Sequence, residues 1–129
     1  MLDLLSDTQL LALLLHGEAR GESPAGLVAV AHVVLNRYGK RTWYGSTIRG
    51  VILKPWQFSY FNGLSAIPQV DKVCSVIAEL VMGGYTVDAS KGATHYWSRV
   101  MLSEPPKWAA GMVETVRLGG HVFCKERGE

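Results

Sequence analysis

Apolar residues near the start of the chain recur at the spacing of a helix that buries a broad face. Leu10, Leu11, Leu13, Leu14 and Leu15 follow Ser6-Asp7-Thr8-Gln9, and Ser6 and Gln9 have the spacing of a reciprocal capping box. Asp7 in the first turn suits the helix dipole, and Gly17 and Gly21 weaken the helix towards its end. A second helix opens at Ser23-Pro24, a capping serine followed by proline at the first helical position. Leu27, Val30, Ala31 and Val34 recur at helical spacing, and Val28, Ala29, Val33 and Leu35 make this helix apolar nearly all round before Tyr38-Gly39 stops it. A helix of that kind belongs at the centre of its domain. Ser46-Thr47 caps a short helix that reaches Leu53 and is broken by Pro55. Residues 56–68 read as loop, and a fourth helix is predicted over 69–82, with Val70, Val73, Cys74, Ile77 and Val81 as its buried stripe and Gly83-Gly84 as its end.

The last third changes character. Ala93-Thr94-His95-Tyr96-Trp97 has strand composition. Pro105-Pro106 imposes an extended loop over 103–107. Residues 114–118 and 121–125 flank Gly119-Gly120, a two-residue hairpin signal. The pattern as a whole predicts an α+β fold: one mostly helical domain over 1–129 with a small antiparallel β element near the C-terminus.

Composition narrows the classes of function. The 48% apolar and 19% charged content is that of an ordinary globular chain. A net charge of +2 with scattered basic residues argues against a nucleic-acid partner. Arg37, Lys40 and Arg41 form the densest basic patch, and their place after a helical pattern suggests that they offset the helix dipole. The apolar run at 10–15 is too short to span a bilayer, so no membrane insertion is expected. No basic residue precedes it, so it does not read as a secretory signal. Cytoplasmic accumulation, action on a target after release, and a monomeric state are the corresponding expectations. Cys74 and Cys124 are too few for a disulfide framework and read as packed thiols.

Glu18 is the foremost candidate for chemistry. It follows Leu15, Leu14 and Leu11 by three, four and seven residues, which places its carboxylate on the apolar face of a continuing helix. Desolvation there raises a carboxyl pKa, as a general acid near neutral pH requires. The competing reading is a core ion pair with Arg20 or Arg37. Glu22 is either a carboxylate placed near a helix N-terminus or a second acid supporting Glu18 or the substrate. Two aromatic clusters suit a cleft for sugar rings: Trp56, Phe58, Tyr60 and Phe61 in one loop, and Tyr96, Trp97 and Trp108 later. Polar Gln57, Ser59, Asn62, His95 and Ser98 are interleaved with them. The candidate substrate contacts are Glu22, Gln57, Phe58, Ser59, His95, Tyr96 and Trp97. His16, His32, His95 and His121 form no His-Glu-x-x-His motif, and His121 and Cys124 fall on opposite faces of a strand, so neither a metal nor another cofactor is expected. His32, within an apolar helix, reads as a hydrogen-bonded core residue.

Several motifs resemble one family. His16-Gly17-Glu18-Ala19-Arg20-Gly21-Glu22 is similar to the Gly-Glu-Ala-Arg-Gly-Glu signature of the germination-specific spore cortex-lytic cell-wall hydrolases and their phage endolysin relatives, with His16 where many relatives carry Tyr. Val28-Ala29-Val30-Ala31-His32-Val33-Val34-Leu35-Asn36-Arg37, Val51-Ile52 leading to Gln57-Phe58-Ser59, Gly92-Ala93-Thr94-His95-Tyr96 and Gly120-His121-Val122-Phe123-Cys124-Lys125 follow in the family's order. The resemblance implies a lysozyme-like fold related to lytic transglycosylases. It also implies cleavage of the β-1,4 bond between N-acetylmuramic acid and N-acetylglucosamine in peptidoglycan glycan strands, with Glu18 as the catalytic glutamate and no cofactor. A phage endolysin fits a single small domain best on this analogy. Hydrolysis of the same bond, a zinc amidase acting on the stem peptide, and a wall-binding module without catalysis are the alternatives.

Overall fold

The capping box at Ser6 forms as its spacing predicts. The Gln9 N–H donates to Ser6 Oγ (3.1 Å), and the Ser6 N–H donates to Gln9 Oε1 (2.8 Å). It opens α1 (Asp7–Ala19) in a computed structural model that describes residues 2–40, 44–54, 58–61 and 63–128, with only the backbone of Ser59. Leu10, Leu11, Leu13, Leu14 and Leu15 are all 0% exposed, so this stretch is covered on every side. The cover comes from α2 (Pro24–Lys40), α3 (Ile48–Leu53) and α4 (Lys72–Met82), all of which pack against α1. Ser23 Oγ accepts from the Gly26 N–H (3.2 Å) at the start of α2, and Thr47 Oγ1 accepts from the Gly50 N–H (2.9 Å) at the start of α3.

The fourth helix begins later than its apolar pattern suggests. Asp71 accepts from the Val73 N–H (2.8 Å) and sets the N-terminus, leaving Gln69 and Val70 outside the helix. Its buried stripe is Cys74, Ile77, Ala78 and Val81, whereas Val73 faces solvent. Among the described residues, no helix is long and apolar enough to cross a membrane.

The sheet follows the helices in sequence. Strands β1 (His95–Ser98), β2 (Met112–Leu118) and β3 (His121–Glu126) pair antiparallel in the order β1-β3-β2. Strand β1 begins at His95, and Ala93 and Thr94 ahead of it are fully buried. The β2–β3 turn is the expected glycine pair, and Gly119 takes the left-handed conformation (φ 55°) that such a turn demands. Cross-strand partners share a face of the sheet, and Tyr96 lies opposite Phe123 while Ser98 lies opposite His121. Phe123 drives that face into the helical core. The end of α2 anchors the chain entering β1: Asn36 Nδ2 donates to the Ala93 carbonyl (2.8 Å) and Arg37 Nε to the Thr94 carbonyl (2.6 Å). Both cysteines are free and buried, as their apolar surroundings predict. His32 is a partly buried histidine hydrogen-bonded to Thr86 Oγ1 (2.8 Å).

The helix that carries Glu18 depends on this leucine core. Replacing Leu14, which is fully buried, with alanine should destabilise the fold by about 2–5 kcal/mol through lost burial and a residual cavity. Urea denaturation of the variant beside the wild type measures it.

Candidate active site

Helix α1 ends one residue after Glu18, and the chain turns away through Arg20 and Gly21, the latter with φ 95°. Glu18 therefore occupies the last turn of a helix surrounded by apolar side chains, and it is half-buried there. Burial raises its carboxyl pKa above the ordinary range. The nearby Tyr60 main-chain N–H, and then the positive charge of Arg37, pull in the opposite direction. Among the described residues Glu18 forms no ion pair with an arginine. Arg20 faces His16 instead, with Nη1 2.9 Å from Nε2. His16 Nδ1 receives the Asp71 N–H (3.0 Å). Both neighbours of the ring are donors, and a neutral imidazole accepts at only one nitrogen. Burial and then Arg20 lower the His16 pKa accordingly.

Arg37 belongs to the surroundings of Glu18, although its sequence context conceals it. It does not lie on the surface at the end of α2 to offset the dipole, because it is only 6% exposed. Its guanidinium lies 4.8 Å from the Phe58 ring centroid and 5.6 Å from that of Tyr44. It binds the Thr94 carbonyl and acts on Glu18, His95 and Tyr96 through space. Only its long-range contacts reveal this, and no local spacing signals them.

The outer side of Glu18 opens on a groove of about 360 Å³, lined also by Glu22, Ser98, Val100, Met101 and His121. Glu22 belongs here, and among the described residues no arginine pairs with it. Its Oε1 accepts from the Gly120 N–H (3.3 Å) and lies 3.2 Å from His121 Nδ1. The latter is a close polar approach with poor hydrogen-bond direction, since His121 Nδ1 is buried without a hydrogen-bond partner among the described residues. Burial lowers the His121 pKa and the Glu22 charge opposes this, so the ring stays neutral at neutral pH. The α1–α2 connection is thereby fastened to the hairpin turn, and the groove lies between them.

The other sequence candidates are divided by the alternation of β1. Tyr96 shares a face with Ser98, packs against His121 (5.1 Å between centroids) and Phe123 (5.8 Å), and lies close enough to Glu18 for that carboxylate, after burial, to oppose its ionisation, so it stays a neutral phenol. His95 and Trp97 point to the opposite face, so the three consecutive residues do not form one contact surface. His95 rests against Tyr44 (6.1 Å) and Trp108 (5.4 Å). Phe58 is 3% exposed and supports Arg37 from within the core, so it offers no open face to a sugar. Gln57, together with Trp56 and Asn62, lies outside the described residues, as does the side chain of Ser59. Among the described residues no group of three His, Cys, Asp or Glu side chains is arranged to hold a metal ion. Cys124 packs against Met112 sulfur (3.7 Å), and burial pushes its thiol pKa up to about 11, which opposes a nucleophilic role.

This arrangement has counterparts among known proteins. The signature of the cell wall hydrolase family matches residues 21–124, most of the chain. The chain belongs to that family. The family match starts beyond Glu18, so the importance of that residue rests on its surroundings. Among curated relatives, the spore cortex-lytic enzyme of Halalkalibacterium halodurans is 33% identical over 92% of this chain, and that of Bacillus subtilis is 31% identical over 93%. The chain spans 34% and 38% of those two proteins, well under half of each. The fold matches the catalytic domain of the Bacillus cereus SleB protein with a TM-score of 0.78 and 29% identity, covering 92% of this chain and 89% of that one. It also matches the catalytic domain of the germination-specific lytic transglycosylase SleB from Bacillus anthracis, with a TM-score of 0.76, 30% identity and coverage of 92% and 93%. The α+β architecture of this family member is thus the SleB catalytic-domain fold.

The electrostatics of the site give a pH signature. Burial and the neighbouring Arg37 hold the His95 pKa down to about 4, below its ordinary 6.5. The unfolded chain binds that proton more readily, so the contribution of His95 to stability is complete above pH 6.5 and is lost as the pH falls towards about 4. His95→Gln should flatten this part of a plot of urea midpoint against pH. An unchanged slope would remove His95 as its source.

Proposed function

We propose that this domain cleaves the β-1,4 bond between N-acetylmuramic acid and N-acetylglucosamine in peptidoglycan, as a lytic transglycosylase with Glu18 as its single acid and base. The observation that carries this reading is a carboxyl group whose proton affinity is raised by burial, with no ion pair to an arginine among the described residues, at the edge of an open groove. Membership of the cell wall hydrolase family supports the substrate class, and the description of the Bacillus anthracis SleB catalytic domain as a lytic transglycosylase supports the reaction type.

In the first step Glu18 gives its proton to the bridging oxygen as the bond from the muramic C1 to that oxygen breaks. The adjacent N-acetyl carbonyl of the substrate shares the positive charge that develops at C1, a substrate-assisted route that needs no second protein carboxylate. Glu18, now ionised, takes the proton from the muramic C6 hydroxyl while that oxygen bonds to C1 and closes a 1,6-anhydro ring. The Tyr60 N–H and Arg37 stabilise the ionised form between the two steps. Glu22, held by the Gly120 N–H on the groove wall beside His121, accepts a hydrogen bond from a sugar hydroxyl or amide and orients the strand.

Mass spectrometry of digested, purified peptidoglycan tests the reaction. Anhydromuramic ends are expected, whereas reducing muramic ends would make the enzyme a hydrolytic muramidase using water in the second step. Glu18→Gln keeps the shape but cannot cycle a proton, and should lower kcat by roughly 10²–10⁴-fold. Retained wall clearing by that variant would end the assignment. Glu22→Gln should mainly raise KM, by about tenfold for one weakened charged hydrogen bond, with kcat largely preserved. A variant that loses kcat at unchanged KM would instead give Glu22 a share in the chemistry.

A further inference from the structure

Gly17 immediately precedes the acid, inside α1, where alanine has the higher helix propensity. Its backbone does not explain the choice, because its φ is not in the left-handed region. The explanation is space. The ring of Tyr60, with its Cγ and both Cδ atoms, fills the volume that a Cβ on Gly17 would occupy. Tyr60 stands in the 3₁₀ turn Ser59–Phe61, which packs directly on α1. The turn is tied back by the Phe61 N–H donating to the Phe58 carbonyl (3.3 Å), and the Tyr60 and Phe61 rings meet edge to face at 5.6 Å. The main-chain N–H of Tyr60 lies beside the adjacent residue, Glu18, and favours its ionised carboxylate.

We infer that Gly17 is a positioning residue: its bare Cα seats the Tyr60 ring on α1, and this contact holds the Tyr60 main-chain N–H beside the carboxylate of Glu18. The two partners come from elements more than forty residues apart, and one missing side chain brings them into register. Any Cβ at position 17 lifts the ring, and the turn carrying the N–H moves with it. The other groups facing Glu18 do not depend on this seat. Arg37 reaches it from α2 and Tyr96 from β1, while Glu22 and His121 line the groove beyond it and Arg20 is turned to His16. Loss of the N–H therefore removes one stabiliser of the ionised carboxylate and leaves the burial that opposes ionisation. The carboxyl should titrate at higher pH. If Glu18 is the proton donor, as proposed above, the high-pH limb of kcat/KM should move the same way. The seating of Tyr60 on Gly17 does not rest on that functional reading.

The experiment follows the Glu18 carboxyl carbon by NMR through a pH titration in wild type, Gly17→Ala, Tyr60→Ala, Tyr60→Phe and the Gly17→Ala/Tyr60→Ala double variant, with kcat/KM profiles alongside. Gly17→Ala and Tyr60→Ala should each raise the midpoint by about half to one pH unit. The double variant should match the singles, because both act on one contact, and Tyr60→Phe should match wild type, because the ring matters and the hydroxyl does not. A wild-type midpoint in Gly17→Ala overturns the inference, as do shifts that simply add in the double variant. Should Gly17→Ala fail to fold, Tyr60→Ala leaves α1 intact and decides the matter, an unchanged midpoint again overturning it. An active Glu18→Gln would overturn the proposed function while leaving the titration result standing.

Discussion

The structure is organised around a carboxyl group placed where water and the helix both disfavour its charge. Glu18 lies in the last turn of α1, near the negative end of the helix dipole and behind a row of leucines with no exposed surface. An ionised carboxylate deep in such a place needs compensation costing several kcal/mol, or it takes up a proton. Here compensation is partial. One main-chain N–H and a more distant guanidinium favour the charge without forming a tight pair, and burial remains the larger influence. The side chain can therefore hold a proton and still survive as an anion, which a single residue acting as both acid and base must do.

Arg37 makes that compromise possible. A guanidinium in direct contact would have fixed Glu18 as a permanent anion. Instead Arg37 donates to the Thr94 carbonyl and lies against the rings of Tyr44 and Phe58, and it favours the Glu18 charge through its field. The same field helps to keep His95 neutral. Because Arg37 is on α2 and Thr94 leads into β1, the residue that tunes the acid also fastens the sheet to the helices. Its removal would disturb both, so its electrostatic and structural roles are not separable by truncation alone.

Much of this was legible in local sequence, and the remainder was hidden for identifiable reasons. Ser6 and Gln9, Ser23-Pro24 and Gly119-Gly120 act on neighbours within four residues, so spacing alone predicted the helix starts and the hairpin. The exposure of Glu18 to an apolar environment followed from its distance to Leu11, Leu14 and Leu15. The later start of α4 was missed because Val70 and Val73 continue an apolar pattern, whereas Asp71, a capping residue between them, sets the boundary. The buried Arg37 and the Tyr60 N–H depend on contacts across distant parts of the chain, and neither has a local signal. Grouping His95, Tyr96 and Trp97 as one surface overlooked strand alternation, which separates the middle residue from its neighbours. Gly17 appeared to be a weak point in the helix, and only the ring lying against it gives the glycine a positive purpose.

The two acids of the signature show how four residues of separation yield different chemistry. Glu18 is still helical and meets the core, whereas Glu22 lies beyond the helix end and meets the hairpin. The Glu22 carboxylate occupies the space that a Cβ on Gly119 would need, so the glycine required by the turn also makes room for the acid. The Gly120 N–H then holds that acid on the groove wall, beside the neutral His121 ring. A tighter turn with side chains would push Glu22 outwards and open the groove. The hairpin, remote from the acid in sequence, thus defines one wall of the site by what its glycines leave out, and α1 defines the other by what its leucines exclude.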